Sequence, residues 1–377
     1  MSGHELRDHR IDFKCDVVTE EDLPPEPLTI TVNPFVPSRY DADSYSGVGA
    51  FPTLTLASVL GHETYLVFRE DRAEASCHVE ELWPSARMVF EYYLQKNWEM
   101  FDKVVTTKFD LESVGQTSHQ RTTVAYQSVA VATVKIVGQS GDRSAKLFSR
   151  FGRKHVAALQ EMPYTTVIRT RGADAGQLEH DLFQVVEHFI GDYESWEMGR
   201  LVRFIDASAA GVLEELVLFR DEFPLVRDLY QQGFEMACKC LWILVAAQNG
   251  TKRKDANAFG DDHPATVPRA KQAKTLAQYD KLPNAYKIAY AAQVPGWECL
   301  SMFLNSGRRN TIGHATARHD LRSGRIITDK DPDGITYIDF LGETFGVFEA
   351  LVVLMQVLRT TRVASSPDFF RKRTPPI

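Results

Sequence analysis

Apolar residues recur at helical spacing along most of this chain, most clearly in the segment VEELWPSARMVFEYYLQKNWEMF, residues 79–101. Within it Pro84 marks a first turn or a kink. Ahead of that segment the pattern differs. Residues 1–50 are rich in Pro, Asp and Ser and predict extended chain with turns. The β-branched and aromatic runs TLTLASVL and ETYLVF then predict strands. Between 104 and 172 the pattern is mixed: a Thr/Ser/Gln-rich stretch, a helix near 143–160 and a short strand, TTVIRT.

The second half is more regular. Helical spacing predicts helices over about 175–191, 196–220 and 224–249, the last closed by Asn249-Gly250 with the glycine as C-cap. The charged stretch TKRKDANAFGDDHPATVP reads as an exposed loop. Helices resume over about 269–293 and 296–319. The segment GRIITDKDPDGITYIDF predicts a β-hairpin turning at Pro332-Asp333-Gly334, followed by an apolar helix over 342–360. The basic end DFFRKRTPPI reads as a frayed tail.

These elements predict a mainly α protein with an N-terminal α+β part. From 224 onward, four long helices with one hairpin inserted before the last make the element list of an antiparallel four-helix bundle. A chain of 377 residues exceeds what one compact core usually holds. The expected division is an N-terminal α+β domain over 1–172, connecting helices over 173–223, the bundle over 224–363 and the basic tail over 364–377.

Charge narrows the function. The net charge is -7, so the molecule as a whole repels phosphate, and any contact with nucleic acid has to come from a local basic patch. The five cysteines are scattered, and Cys238-x-Cys240 lacks the spacing of a redox pair or a zinc knuckle; buried thiols in a reducing compartment are the expectation. The N-terminus carries no apolar run of the signal-peptide kind. The apolar stretch from Phe345 to Leu358 is shorter than the roughly 20 residues of a membrane span and contains Glu349 and Gln356. A cytoplasmic protein with no membrane partner is expected.

The segment that carries chemistry is Gly307-Arg308-Arg309-Asn310-Thr311-Ile312-Gly313-His314 with the residues up to Asp320. Arginine stays charged and offers a planar fork to phosphate oxygens, and histidine moves protons near neutrality. RNA brings its own nucleophile, the 2'-hydroxyl, so such a site needs no metal and no cofactor. In a helix, Asn310 and His314 stand at i and i+4 and share a face. From 308 to 325 there are five arginines (Arg308, Arg309, Arg318, Arg322, Arg325) against one Asp320, a local charge of +4.

Spacing by itself is weak: with 11 histidines and many arginines, roughly two Arg-x4–6-His matches arise by chance. Arg72/His78, Arg150/His155 and Arg308/His314 also match. Arg309/His314 alone has an asparagine directly after the arginine and lies in a basic window within a helical pattern. Two metal readings fare worse. Asp329, Asp331, Asp333 and Gly334 match the first half of a calcium loop, but Phe340 stands where the bidentate glutamate is required. His314, His319 and Asp320 do not share one helical face. Phosphate-loop, dinucleotide and hydrolase-elbow motifs are absent from the sequence.

RRNTIGHA resembles the R-N-x-x-x-H signature of the HEPN superfamily, and the resemblance covers about residues 224–363. The resemblance implies a metal-independent endoribonuclease, with Arg309, Asn310 and His314 catalytic and Arg308, Arg318, His319 and Arg322 as RNA contacts. It also implies a homodimer in which two motifs face one another, and a setting as a bacterial toxin or anti-phage effector with an antitoxin or sensor partner. A non-catalytic HEPN-like bundle, binding nucleotide or RNA or serving as a dimerisation scaffold, is the alternative.

Overall fold

The computed structural model describes residues 35–37, 57, 60–109, 117–138, 172–205, 216–218, 222–297, 303–313, 317–320, 323–329 and 331–364. Helix accounts for 76% of them, and the class is mainly α with a small three-stranded antiparallel sheet.

Strand β1 (Phe35–Pro37) pairs antiparallel with β2 (Leu216–Leu218), with Val36 opposite Val217. Helix α1 (His62–Cys77) runs through a π-turn, His78–Leu82, into α2 (Trp83–Gln95). α3 (Trp98–Phe109) and α4 (Ser118–Val137) follow. A capping box fixes the start of α4: Gln120 Oε1 accepts the Thr117 amide at 2.8 Å. α5 (Gly172–Gly191), the short α6 (Tyr193–Trp196) and a 3-10 segment, Glu197–Arg203, complete the first half.

The second half begins with α7 (Phe223–Cys240), whose first turn carries Pro224, and α8 (Trp242–Arg253). The short helices α9 (Leu276–Asp280), α10 (Asn284–Ala292) and α11 (Ser306–Ile312) come next. Strands β3 (Arg318–Asp320), β4 (Arg325–Thr328) and β5 (Asp331–Thr336) form the sheet in that order, and α12 (Tyr337–Ala364) ends the described chain.

α12 is the axis of the fold. It packs against the 197–203 segment, α4, α7 and α5, and one continuous core runs from Phe68 to Leu358. By length and composition the helix is apolar enough to cross a membrane, yet 83% of its most apolar window is buried inside the fold. Each fully buried Leu, Val or Phe there contributes about 1.5–3 kcal/mol. Gly199 lies directly under the Leu341 carbonyl, and a Cβ at Gly233 would sit 2.8 Å from the Phe189 ring and 2.7 Å from Val347. Both glycines let elements approach closer than a side chain permits.

The core also holds charge, and every such group has a partner. Arg200, 1% exposed, donates to the Asp71 carboxylate at 2.6 Å and to the carbonyls of Asp71 and Ile136. Buried Glu197 accepts from Arg72, and buried Glu349 of α12 from Arg203 at 3.0 Å. Glu179 of α5 accepts from Tyr126 at 2.6 Å and pairs with Arg362 at 3.3 Å.

Several sequence expectations are corrected. ETYLVF lies inside α1, where buried Phe68 and Ala75 stand two helical turns apart and Arg69, Glu70 and Glu74 beside them are exposed. Of the helix expected over 196–220, the described part is a 3-10 turn at Glu197–Arg203, where Glu197–Leu201 are all buried and no single helical face accounts for them, and a strand at Leu216–Leu218. The helix expected over 224–249 breaks at Leu241 and ends at Arg253, with Lys254 left-handed (φ 57°) as its cap instead of Gly250. The helix over 269–293 is divided before Pro283, and of that over 296–319 the described part holds helix at Phe303 and Ser306–Ile312, while Arg318–Asp320 is drawn into the sheet.

The hairpin is present, but the chain reverses between Thr328 and Asp331. Pro332-Asp333-Gly334 lies within β5, beside an irregularity in the pairing that Gly334 (φ 52°) accommodates. The final helix starts at Tyr337, five residues before its expected beginning. TLTLASVL (apart from Ala57 and Leu60), the helix near 143–160, TTVIRT and the basic tail lie outside the described residues.

Burial raises the Glu179 carboxyl above its ordinary range, against the lowering influence of Arg362, Tyr126 and Tyr93. The folded chain therefore keeps this proton over an interval above about pH 4–5 in which the unfolded chain has released it, and stability from this group falls as pH rises through that interval. Urea unfolding of wild type and Glu179→Gln across that interval checks the sign. The difference in stability, wild type minus variant, declines with rising pH; a difference that grows with pH refutes it.

Candidate functional site

α11 carries the arginine pair. Asn305 caps it by accepting the Arg308 amide at 3.0 Å, and Gly313 closes it by donating to the Arg309 carbonyl at 2.8 Å. Adjacent residues on a helix point about 100° apart, so Arg308 and Arg309 leave it in different directions. Arg308 Nε donates to Glu343 of α12 at 3.1 Å. Arg309 Nη2 reaches Glu235 of α7 at 2.6 Å, and Asn284 of α10 donates to the other oxygen of that carboxylate at 2.8 Å. One short helix is thereby fixed to two long ones.

The two pairs differ in environment. Burial raises the Glu343 carboxyl, with Arg308 opposing that shift, and burial also raises Tyr230, whose hydroxyl approaches Glu343 at 3.5 Å. Arg309 and Glu235 are more open, at 34% and 41% side-chain exposure. The Arg309 Nε is buried and makes no hydrogen bond among the described residues. Asn310 is exposed, and its Oδ1 accepts from Arg309 Nη1 at a long 3.4 Å.

Arg309 forms part of the wall of an open groove of about 490 Å³ between α5 and α7. α5 contributes Asp181, Gln184 and His188, and α7 contributes Gln231, Gln232, Glu235 and Lys239, over an apolar floor of Val185 and Met236. The volume lies in the range of small-ligand clefts. None of the α5 and α7 residues was singled out by the sequence reading. Their signal is present as polar residues at i, i+3 and i+7 on α5 and at i, i+4 and i+8 on α7, helical stripes within apolar helices. That the two stripes face each other is visible only in the fold.

The remaining sequence-predicted residues are placed as follows. Arg318 is exposed on β3, and the half-buried His319 stacks on the Tyr337 ring with centroids 4.3 Å apart. Arg325 donates to the carbonyls of Asp333 and Gly334. Three of the five arginines in the basic window thus engage acceptors of the chain itself. His314 and Arg322 lie outside the described residues. Asp331 of the calcium-like stretch accepts the Gly334 amide at 3.0 Å within the sheet. Among the described residues no three His, Cys, Asp or Glu side chains are grouped to hold a metal ion. Cys238 and Cys240 are free and buried, and burial pushes the Cys238 thiol up to about 12.

Comparison of the chain with protein-family models, with curated proteins and with solved structures gives no match. The chemistry of the site therefore stands on its own residues.

The two arginines separate on substitution. Arg308→Ala leaves the Glu343 carboxylate in a desolvated place without its cation and costs about 1–2 kcal/mol. Arg309→Ala breaks a more open pair and costs under about 1 kcal/mol. Chemical denaturation of both variants measures this; equal losses contradict the assignment.

Proposed function

We propose that the chain is a metal-independent endoribonuclease of the HEPN type. The observation that carries the reading is Arg309: the arginine of the R-N-x-x-x-H motif stands on the wall of a ligand-sized groove, with Asn310 exposed beside it. In the proposed reaction Arg309 stabilises the charge that develops on the scissile phosphate. His314 moves protons, and Asn310 orients the groups. The 2'-hydroxyl of the substrate attacks phosphorus, leaving a 2',3'-cyclic phosphate and a 5'-hydroxyl end. Arg318, His319 and Arg322 are proposed to meet phosphates flanking the cleaved bond, and Arg308 to support them from its place on α11.

The same reading takes residues 224–363 as the antiparallel helical bundle of the family and the N-terminal part as a sensing or recruiting element. It implies a cytoplasmic homodimer whose two motifs share one composite site, acting as a toxin or anti-phage effector under an antitoxin or sensor partner.

One observation favours a second reading, a non-catalytic bundle that binds nucleotide or RNA or serves as a dimerisation scaffold. The Arg309–Glu235 ion pair already gives the guanidinium an anion inside the protein.

Incubation of purified protein with total tRNA and with a generic single strand, in EDTA, separates the two. The ribonuclease cleaves both in the presence of chelator, His314→Ala abolishes cleavage, and Arg309→Ala slows it by about 10²-fold. Wild type indistinguishable from His314→Ala hands the site to the second reading.

A further inference from the structure

A guanidinium binds phosphate most firmly through two parallel N–H bonds from one edge of its plane. At Arg309 one such edge is closed, because Nε is buried and makes no hydrogen bond among the described residues. The edge left to a ligand is Nη1 with Nη2. Glu235 already holds Nη2 at 2.6 Å, while Nη1 has only the long 3.4 Å contact with Asn310. A phosphate that reaches Arg309 from the groove meets a carboxylate where its own oxygen would bind.

That carboxylate is held from two sides. Its second oxygen accepts from Asn284, in the first turn of α10, at 2.8 Å. Three helices thus meet at one group: α7 supplies it, α10 orients it and α11 brings the arginine. Holding it in advance reduces the entropy loss that makes most surface ion pairs weak. The other carboxylate of the groove, Asp181, accepts from Gln177 of its own helix at 2.6 Å and pairs with no cation among the described residues. Lys239 also lines the groove and makes no ion pair among the described residues. It stands at i+4 from Glu235, so a displaced Glu235 has a second cation within reach on α7.

We propose that Glu235, held by Asn284, is an autoinhibitory anion: it occupies Arg309 in the free protein and lowers the affinity for a phosphodiester strand, which has to displace it. This rests on Arg309 as the phosphate contact of the ribonuclease reading given above. The fraction of molecules with Arg309 free scales the affinity directly.

The test uses the full chain and a fluorescent 2'-O-methyl RNA single strand, which cannot be cut by 2'-hydroxyl attack, with binding read by anisotropy. Side chains at 235 and 309 are 41% and 34% exposed, so their substitution leaves the core intact. Glu235→Gln is expected to bind about two- to fivefold tighter than wild type, the range of a half-exposed ion pair. Asn284→Ala, which loosens the carboxylate without changing net charge, shifts affinity the same way by a smaller factor. Asp181→Asn removes an equal charge from the same groove and gains less. In an Arg309→Ala background, Glu235→Gln gains no more than Asp181→Asn does. Equal gains from Glu235→Gln and Asp181→Asn with Arg309 present, or no gain from Glu235→Gln, overturn the autoinhibitory role and leave the ribonuclease reading intact. Undiminished binding by Arg309→Ala, or no binding by wild type and Glu235→Gln alike, overturns Arg309 as the phosphate contact and the autoinhibition with it.

Discussion

A helix that is apolar on nearly every side has no favourable place at a surface, and α12 imposes that constraint on the whole chain. Its 28 residues can be buried only if other elements surround them, and the 197–203 segment, α4, α5 and α7 do so. The same demand explains the glycines at 199 and 233. Each lies where a neighbour comes so near that a methyl group has no room. The buried ions follow from the demand as well. Arg200 donates to the Asp71 carbonyl within α1 and to the Ile136 carbonyl at the end of α4, and Arg203 and Glu349 compensate each other beside α12.

The candidate site is a consequence of that packing. Fixing α5 and α7 side by side over α12 leaves their polar stripes facing across a groove, and α11 closes one end because its two arginines are anchored on different helices. Arg308 is tied to a carboxylate that burial has made harder to ionise, while Arg309 meets one that is open to solvent. Adjacent residues of the same type thus have different work. The sequence treats them as a basic pair; the fold separates one that holds the helix down from one that a phosphate can compete for. Of the positive charge between 308 and 325, Arg308 and Arg309 meet carboxylates, and Arg325 donates to carbonyls of the hairpin.

Helices with a strong one-sided pattern were legible from spacing. The segments around 79–101 and 175–191 and the start of the helix at 223 agree with the structure, because burial of one face leaves a 3.6-residue signature in the residue types. Segments that were misread are those where tertiary context overrides the local pattern. Glu197–Leu201 passes through the core and is buried on all sides, and Arg318–Asp320 becomes a strand because β4 offers it a partner. His188 and Glu235 had no motif to announce them; each is one polar residue in a helix until its opposite number is known.

The sequence by itself determined the mainly helical class, the apolar last helix and the R-N-x-x-x-H spacing, since composition and period are local properties that survive without contacts. Only the tertiary structure decided which arginine faces a ligand-sized space, which carboxylate opposes it and which imidazole shares its groove. Those are relations between residues from 47 to 121 positions apart, such as Glu235 with His188 and Arg309 with His188, and chain spacing carries no information about them. They exist because burying α12 brings α5, α7 and α11 together.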